Sequence, residues 1–156
     1  MTTQGDYVPS SSDRVKNQVA LYEATDGAEG GTLNGSPVIV LATVGAKTGS
    51  VRKTPLIRIE HDGTYAVVAS YGGAPRDPQW YRNAMANPLV QVQDREVRQK
   101  MRAREVFGAE KDEWWRRADA AYAEIPHYRA TAGREIPILL LEPAGEDATA
   151  SNAPAE

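Results

Sequence analysis

Residues 37–44 read PVIVLATV, a continuous apolar run of the kind expected for a strand buried on both faces. Outward from it, the chain keeps yielding strands. Residues 52–60 and 64–70 flank His61-Asp62-Gly63, a hairpin connection with glycine available for a left-handed position. Residues 89–93 and 97–107 flank Asp94-Arg95-Glu96 as a second hairpin, and residues 135–142 (EIPILLLE) form a last apolar strand. Pro137 there is tolerable only at an edge or a bulge.

Three helices interrupt the strands. Val15, Val19, Leu21 and Tyr22 predict a short helix over residues 13–28, capped by Ser12 or Asp13. Four glycines then mark residues 27–35 as a connector. Residues 78–86 form a second helix with Asp77 as N-cap and Pro78 in the first turn. Residues 109–125 place Trp114, Trp115, Ala118, Tyr122 and Ile125 on one face of a third, ending before Pro126. Six strands, short hairpins and three helices predict a mainly β, α+β architecture: a six-stranded antiparallel barrel with helices packed outside. Strands and helices do not alternate, which disfavours a doubly wound nucleotide fold.

The length of 156 residues suits one domain. The expected division is a disordered start (residues 1–12), one folded domain (13–143) and a disordered tail (144–156), because both ends lack large apolar groups. With no cysteine and two histidines, neither a disulfide framework nor a thiolate or histidine metal centre is expected. No stretch approaches the roughly 18 apolar residues of a membrane span, and the start lacks a secretory pattern. The expectation is a cytoplasmic protein without stable membrane insertion. Net charge is −3, and Glu146, Asp147 and Glu156 in the tail account for it, so the body is neutral. A neutral body argues against nucleic-acid binding. Arg98, Lys100, Arg102 and Arg104 alternate along one strand and read as a solvated outer face that discourages edge pairing.

Residues 45–52, GAKTGSVR, follow one strand and precede another. Taken alone, this reads first as a polar hairpin loop with solvated cations. It is not a P-loop, since the spacing differs and no helix follows. Its surroundings favour an anion site. Between Gly45 and Asn83 stand Lys47, Arg52, Lys53, Arg58, Arg76 and Arg82 against Glu60, Asp62 and Asp77. The strand at 64–70 empties into Tyr71-Gly72-Gly73-Ala74-Pro75, where small residues let a planar ligand approach the backbone.

Three runs carry a resemblance: LATVGAKTGSVRKTPL, VVASYGGAPRDPQWYRNAMANP and REIPILLLEP. Over residues 36–143 the chain resembles the deazaflavin-dependent nitroreductase family of actinobacterial oxidoreductases. The resemblance implies a split β-barrel of the FMN-binding type, and as cofactor coenzyme F420, an 8-hydroxy-5-deazaflavin with a phospholactyl-polyglutamate tail. It implies that Ala46, Lys47, Thr48 and Arg52 hold the phosphate and tail. Val68, Ala69, Ser70 and Tyr71 would line the deazaflavin, and Gln79, Trp80, Tyr81, Arg82 and Asn83 would complete the groove. Tyr128 matches a family tyrosine near ring and substrate, and a phenol there can donate to an oxygen as charge builds on it.

Where some relatives carry a tyrosine cluster, this chain has Ile125, Tyr128 and Thr131. The expectation therefore widens from nitro compounds to a small, apolar electrophile: an α,β-unsaturated carbonyl, quinone or nitro compound reduced with F420H2. A monomer is expected from the branch resembled. Two other classes stay open at this stage: a non-catalytic F420 carrier, and an FMN-dependent or pyridoxal-related split-barrel oxidoreductase.

Overall fold

The computed structural model describes residues 5–144. The chain runs α1 (Asp13–Thr25), β1 (Thr32–Leu33), β2 (Ser36–Val44), β3 (Val51–Ile57), β4 (Glu60–His61), β5 (Thr64–Val68), α2 (Gln79–Ala86), β6 (Leu89–Asp94), β7 (Val97–Glu105), α3 (Gly108–Ala121), α4 (Ile125–Ala132) and β8 (Ile138–Pro143). All strand pairings are antiparallel, in the order β1-β2-β6-β7-β8-β5-β4, with β3 on the free side of β2. The architecture is thus mainly β, an antiparallel half-barrel sheet with helices against it.

Strand periodicity explains the core. Ile39 and Leu41 of β2, Tyr65 and Val67 of β5, Val90 and Val92 of β6, Met101 of β7, and Leu139 and Leu141 of β8 alternate onto one face and form one cluster. The intervening residues face helices. Val38 and Val40 meet Val19 and Tyr22 of α1, while Ala66, Ile138 and Leu140 meet Trp114, Ala118, Tyr122 and Ile125. β2 and β8 are therefore covered on both sides, which is why their sequences read as unbroken apolar runs. The Tyr22 hydroxyl locks α1 down, donating to Val38 O (3.2 Å) and accepting from Arg95 N–H (2.7 Å).

Five expectations need correction. Eight strands replace six, and four helices replace three. The segment expected as one strand over 52–60 divides at Arg58-Ile59. Arg58 N–H still donates to Pro37 O beside β2, whereas Ile59 O accepts from Ala66 N–H of β5 (2.9 and 2.8 Å). The long helix ends at Ala121, because Tyr122 is extended (φ −151°); Pro126 then sits inside the first turn of α4, where its missing N–H costs nothing. Asp77 does not cap α2: Pro78 holds the N-cap position with no side-chain bond, and the Asp77 carboxylate is taken by Arg134.

Ser12 is the cap of α1, accepting Val15 N–H at 3.3 Å. Ahead of α1, Tyr7 forms an isolated bridge to Val51 of β3, with Val51 N–H donating to Asp6 O (2.8 Å) and Val8 N–H to Val51 O (2.9 Å). Residues 1–4 and 145–156 lie outside the described part. Arg98, Arg102 and Arg104 of β7 are exposed as read, with Arg98 paired to Asp26, and Arg104 to Glu110 and Glu142, but β7 lies between β6 and β8, so this face guards no sheet edge. Among the described residues no helix is long and apolar enough to cross a membrane.

Candidate active site

A groove of about 720 Å³ opens beside β3. Its walls come from β3, the turn after β5, the start of α2, the corner between α3 and α4, the β1–β2 turn, and the residues leading into α1. One end is polar, with Arg52 and Lys53; the other is mainly apolar with two phenols, and Ser12 and Arg14 adjoin it beside Val15.

At the polar end, the 45–50 loop closes on itself. Gly45 N–H donates to Ser50 O (2.7 Å), Gly49 N–H to Gly45 O (3.0 Å), and Ser50 N–H to Thr48 Oγ1 (3.1 Å). Asn83, only 1% exposed, ties this loop to α2: its Oδ1 accepts from Ala46 N–H and from Gln79 Nε2 (both 3.0 Å), and its Nδ2 donates to Thr43 Oγ1 (3.2 Å). Ala46, Lys47 and Thr48 are exposed on this loop but form no part of the groove wall, whereas Arg52 does. Among the described residues neither Lys47 nor Arg52 has a carboxylate partner. By contrast Lys53 is paired with Glu23 at 2.6 Å and Arg58 with Asp94 at 2.9 Å.

The middle of the groove is walled by Val68, Ser70, Tyr71, Gly72, Gln79 and Trp80. Ser70 is right-handed helical and Tyr71 follows at φ +50°, the order in which successive amides converge as a nest for negative charge. Ala69 is fully buried and does not line the groove; its N–H donates to Pro137 O at 3.0 Å. This turn is held by a residue that sequence reasoning missed. Arg134 donates to the carbonyls of Ala69 (3.0 Å), Ser70 (3.3 Å), Ala74 (3.1 Å) and Arg76 (2.8 Å) and to Asp77 Oδ1 (2.7 Å). No local pattern marks it, because its partners are about sixty positions away.

Two residues expected at the cofactor are turned elsewhere. The Tyr81 ring packs on the sheet core and its hydroxyl donates to Glu105 Oε1 (2.6 Å). Arg82 is spent on its own helix start, donating to Gln79 Oε1 (2.8 Å) and Asp77 O (3.2 Å). On an eight-residue helix, neighbours in sequence point to different sides.

At the apolar end stand Val15, Leu33, Ile57, Ile59 and Ile125 with Tyr122, Tyr128 and Asn34. Tyr128 is half-buried on α4, its ring 6.2 Å from that of Tyr122. Burial first, and Tyr122 beside it second, push the Tyr128 phenol up to about 12, so at neutral pH it is a hydrogen-bond donor. Tyr122 and Asn34 were missed as site residues. The Asn34-Gly35 dipeptide is a hairpin signal that could have placed Asn34 at a turn tip.

The donor set fits an anionic, planar, tailed cofactor. Arg52, without a carboxylate partner among the described residues, walls one end next to the loop that carries Lys47, converging amides and aromatic walls line the middle, and an open glycine edge (Gly72) leaves room at the backbone.

Residues 14–143 match the model of the F420H2-dependent quinone reductase family. The chain belongs to that family. An F420H2-dependent quinone reductase of Mycobacterium tuberculosis is 34% identical over 126 residues, spanning 78% of this chain and 85% of that protein. A solved F420H2-dependent reductase shares 43% identity over 68% of this chain and 94% of its own, with a TM-score of 0.65. A second solved relative, described as a domain-swapped dimer, shares 38% identity over 81% and 96% of the two chains, with a TM-score of 0.67. As a member of this family the chain is an F420H2-dependent oxidoreductase with a split-barrel fold, and coenzyme F420 is its cofactor.

Proposed function

We propose that this F420H2-dependent reductase acts on quinones and related activated, apolar acceptors, and that the groove described above is where it does so. The observation that carries the reading is continuity: one groove joins Arg52, without a carboxylate partner among the described residues, to the protonated Tyr128. Lys47 and Arg52 would hold the phosphate and tail, with Ala46 and Thr48 shaping the loop that presents them. Val68, Ser70, Tyr71, Gln79 and Trp80 would flank the deazaflavin, with Ala69 and Asn83 supporting the wall from within. When bound, F420H2 supplies the hydride.

The chain's own contribution is placement, exclusion of water and electrostatics. The apolar residues around Ile125 desolvate an acceptor, and Tyr128 donates a hydrogen bond to the oxygen on which negative charge grows. A phenol held well above neutral pH gives that bond without losing its proton. Solvent can complete protonation, which is consistent with a site built without an acid–base dyad.

The bent segment spanning β3 and β4 counts, on this reading, as a single strand pairing with β2 on one side and β5 on the other. With β1 taken as a hairpin extension, that restores six strands curling round one core. A working monomer, as in the branch of the family it resembles, and a cytoplasmic location suit a protein dependent on this reduced cofactor.

Equilibrium titration with F420 and with FMN, followed by anaerobic mixing of the F420H2-loaded protein with menadione, tests the reading. Tight F420 binding and cofactor oxidation are expected. F420 binding without menadione-dependent oxidation would point to a carrier, and FMN binding in preference to F420 would overturn the cofactor site.

A further inference from the structure

Thr43 is 1% exposed, yet it forms part of the groove wall. It stands opposite Arg52 in the register of β2 with β3, and directly opposed residues of an antiparallel pair carry their side chains on one face. The alternation along both strands agrees. Ile39 and Leu41 of β2, with Leu56 opposite Ile39, belong to the sheet core, and Thr43 and Arg52 continue that face into the groove. Lys53, on the other face, is the one that reaches Glu23 of α1.

The hydrogen bonds around Thr43 can run in one direction only. A backbone N–H donates, so the Asn83 atom that meets Ala46 N–H at 3.0 Å is the side-chain oxygen. Gln79 Nε2 donates to the same oxygen at 3.0 Å. The Asn83 amide cannot turn over without losing both bonds, so its nitrogen is aimed at Thr43 Oγ1, 3.2 Å away. An amide nitrogen can only donate, and Thr43 is therefore the acceptor. Among the described residues, nothing accepts the hydrogen of the Thr43 hydroxyl in return. Buried donors are rarely left in that state, and one left over at a cavity wall is completed by what the cavity holds. Arg52 beside it also lacks an acceptor among the described residues. A charged donor and a buried neutral donor on one face, both uncommitted, suit an oxygen-bearing anion.

Resting on the reading of Arg52 given above, we propose that Thr43 is a binding residue for the cofactor's phosphate: its hydroxyl donates to a phosphoryl oxygen that Arg52 also holds, and Asn83 is the positioning residue that fixes the direction of that hydrogen. The two donors do different things. The pull of a cation is tolerant of geometry, whereas a fixed neutral donor rewards an oxygen at one distance and angle. Asn83 also joins the 45–50 loop to Gln79, which walls the middle of the groove, so the phosphate is registered against the ring wall.

Thr43→Val removes the hydroxyl at nearly constant shape, and Thr43→Ser keeps it. Equilibrium titration should show F420 weakened about tenfold in Thr43→Val, as for a lost hydrogen bond to a charged group, and within about twofold of wild type in Thr43→Ser. The phosphate-free deazaflavin fragment of F420 should bind wild type and Thr43→Val alike. The salt dependence of F420 binding should be the same in both, because the lost donor is neutral and the cations stay engaged. A structural role for Thr43 acts through Asn83 on the 45–50 loop, and predicts that salt dependence flattens along with affinity as the cations are displaced. That flattening would overturn the inference. So would undiminished F420 affinity in Thr43→Val, an equal loss for the fragment, or an equal loss in Thr43→Ser. Thr43→Ala makes the same comparison if Thr43→Val does not fold. Arg52→Ala keeps the two readings apart. Undiminished F420 affinity there would sink the phosphate site itself, whereas a loss at Arg52→Ala with none at Thr43→Val would sink the role of Thr43 alone.

Discussion

The Arg134 guanidinium lies 2.7 Å from Asp77 Oδ1 and, through four backbone carbonyls, ties the whole turn between Ala69 and Arg76 to the segment ahead of β8. That turn contains a non-glycine residue, Tyr71, in the left-handed region, a conformation a bulky side chain adopts only when its surroundings enforce it. Arg134 holds the carbonyls on either side of Tyr71, those of Ser70 and Ala74. Lysine keeps the charge but offers a compact ammonium with three donors, which cannot span five acceptors. Arg134→Lys should therefore cost about 2 kcal/mol, the value of a lost hydrogen bond to a charged group. F420 affinity should fall with it, by about tenfold, as the ring wall loosens. Thermal melting and F420 titration of the same sample check both; unchanged affinity in a destabilised variant would show that the turn does not shape the cofactor site.

Gly73 makes a second, independent demand on the same wall. It adopts φ +86°, and a Cβ there would lie 2.5 Å from Thr131 Oγ1 of α4. Gly73→Ala should be destabilising by about 1–2 kcal/mol from the left-handed backbone alone, with the contact adding to it. Adding Thr131→Ala should recover the second part and leave the first. Urea unfolding of the single and double variants separates the two; full recovery would mean the backbone conformation carries no cost.

The barrel strands were legible because burial leaves a period. β2 and β8 are covered on both faces and read as continuous apolar runs, while β7, with one face in solvent, alternates Arg98, Lys100, Arg102 and Arg104 with its inner positions. The turn chemistry was legible at Asp62-Gly63, whose φ values are +53° and +85°. What escaped was long-range. The division of the 52–60 segment depends on which neighbour each residue pairs with, and nothing in Arg58-Ile59 signals a change of partner. The break between α3 and α4 was misplaced because Pro126 marks a helix start as well as it marks an end. In the site, the Lys47 loop was visible through glycine and charge, and Tyr128 only through resemblance. Arg134, Asn34 and Tyr122 act through partners roughly 60 to 90 positions away, beyond any local pattern.

The unequal treatment of the basic residues leads to a contrast between variants. Lys47 and Arg52 lack carboxylate partners among the described residues, whereas Arg82 is engaged with Gln79 and the Asp77 carbonyl. Lys47→Ala with Arg52→Ala should weaken F420 by at least about a hundredfold, taking each charge-assisted bond at the lower end of about 1.5–3 kcal/mol. The salt dependence of binding should flatten in the same variant, since the screened charges are gone. Arg82→Ala and Tyr81→Phe should stay within about twofold, as neither faces the groove; such effects are those of remote surface changes. Isothermal titration at two salt concentrations decides it, and a larger loss at Arg82 than at Arg52 would move the anion site to the helix.

Alkaline pH should separate the role of Tyr128 from that of Tyr81. Burial, and then the hydrogen bond to Glu105, push Tyr81 up to about 12, the same level that burial and Tyr122 give Tyr128. In the unfolded chain both phenols ionise near their ordinary value of about 10. Between roughly pH 10 and pH 12 the unfolded chain thus holds fewer protons than the folded one, so stability falls as pH rises through that window. Below the unfolded value the contribution is complete and flat. Tyr81→Phe removes one of these groups and should shallow the fall in urea midpoint across the window, while leaving the menadione reduction profile alone. Tyr128→Phe should shallow the fall as well, but should also lower kcat by about a hundredfold at neutral pH, the low end for losing an oxyanion donor. In the wild type the rate attributable to Tyr128 should persist past pH 10 for as long as the protein stays folded. A loss of rate centred near the ordinary phenol value, in protein still folded by circular dichroism, would mean that Tyr128 stands in water rather than in the groove wall.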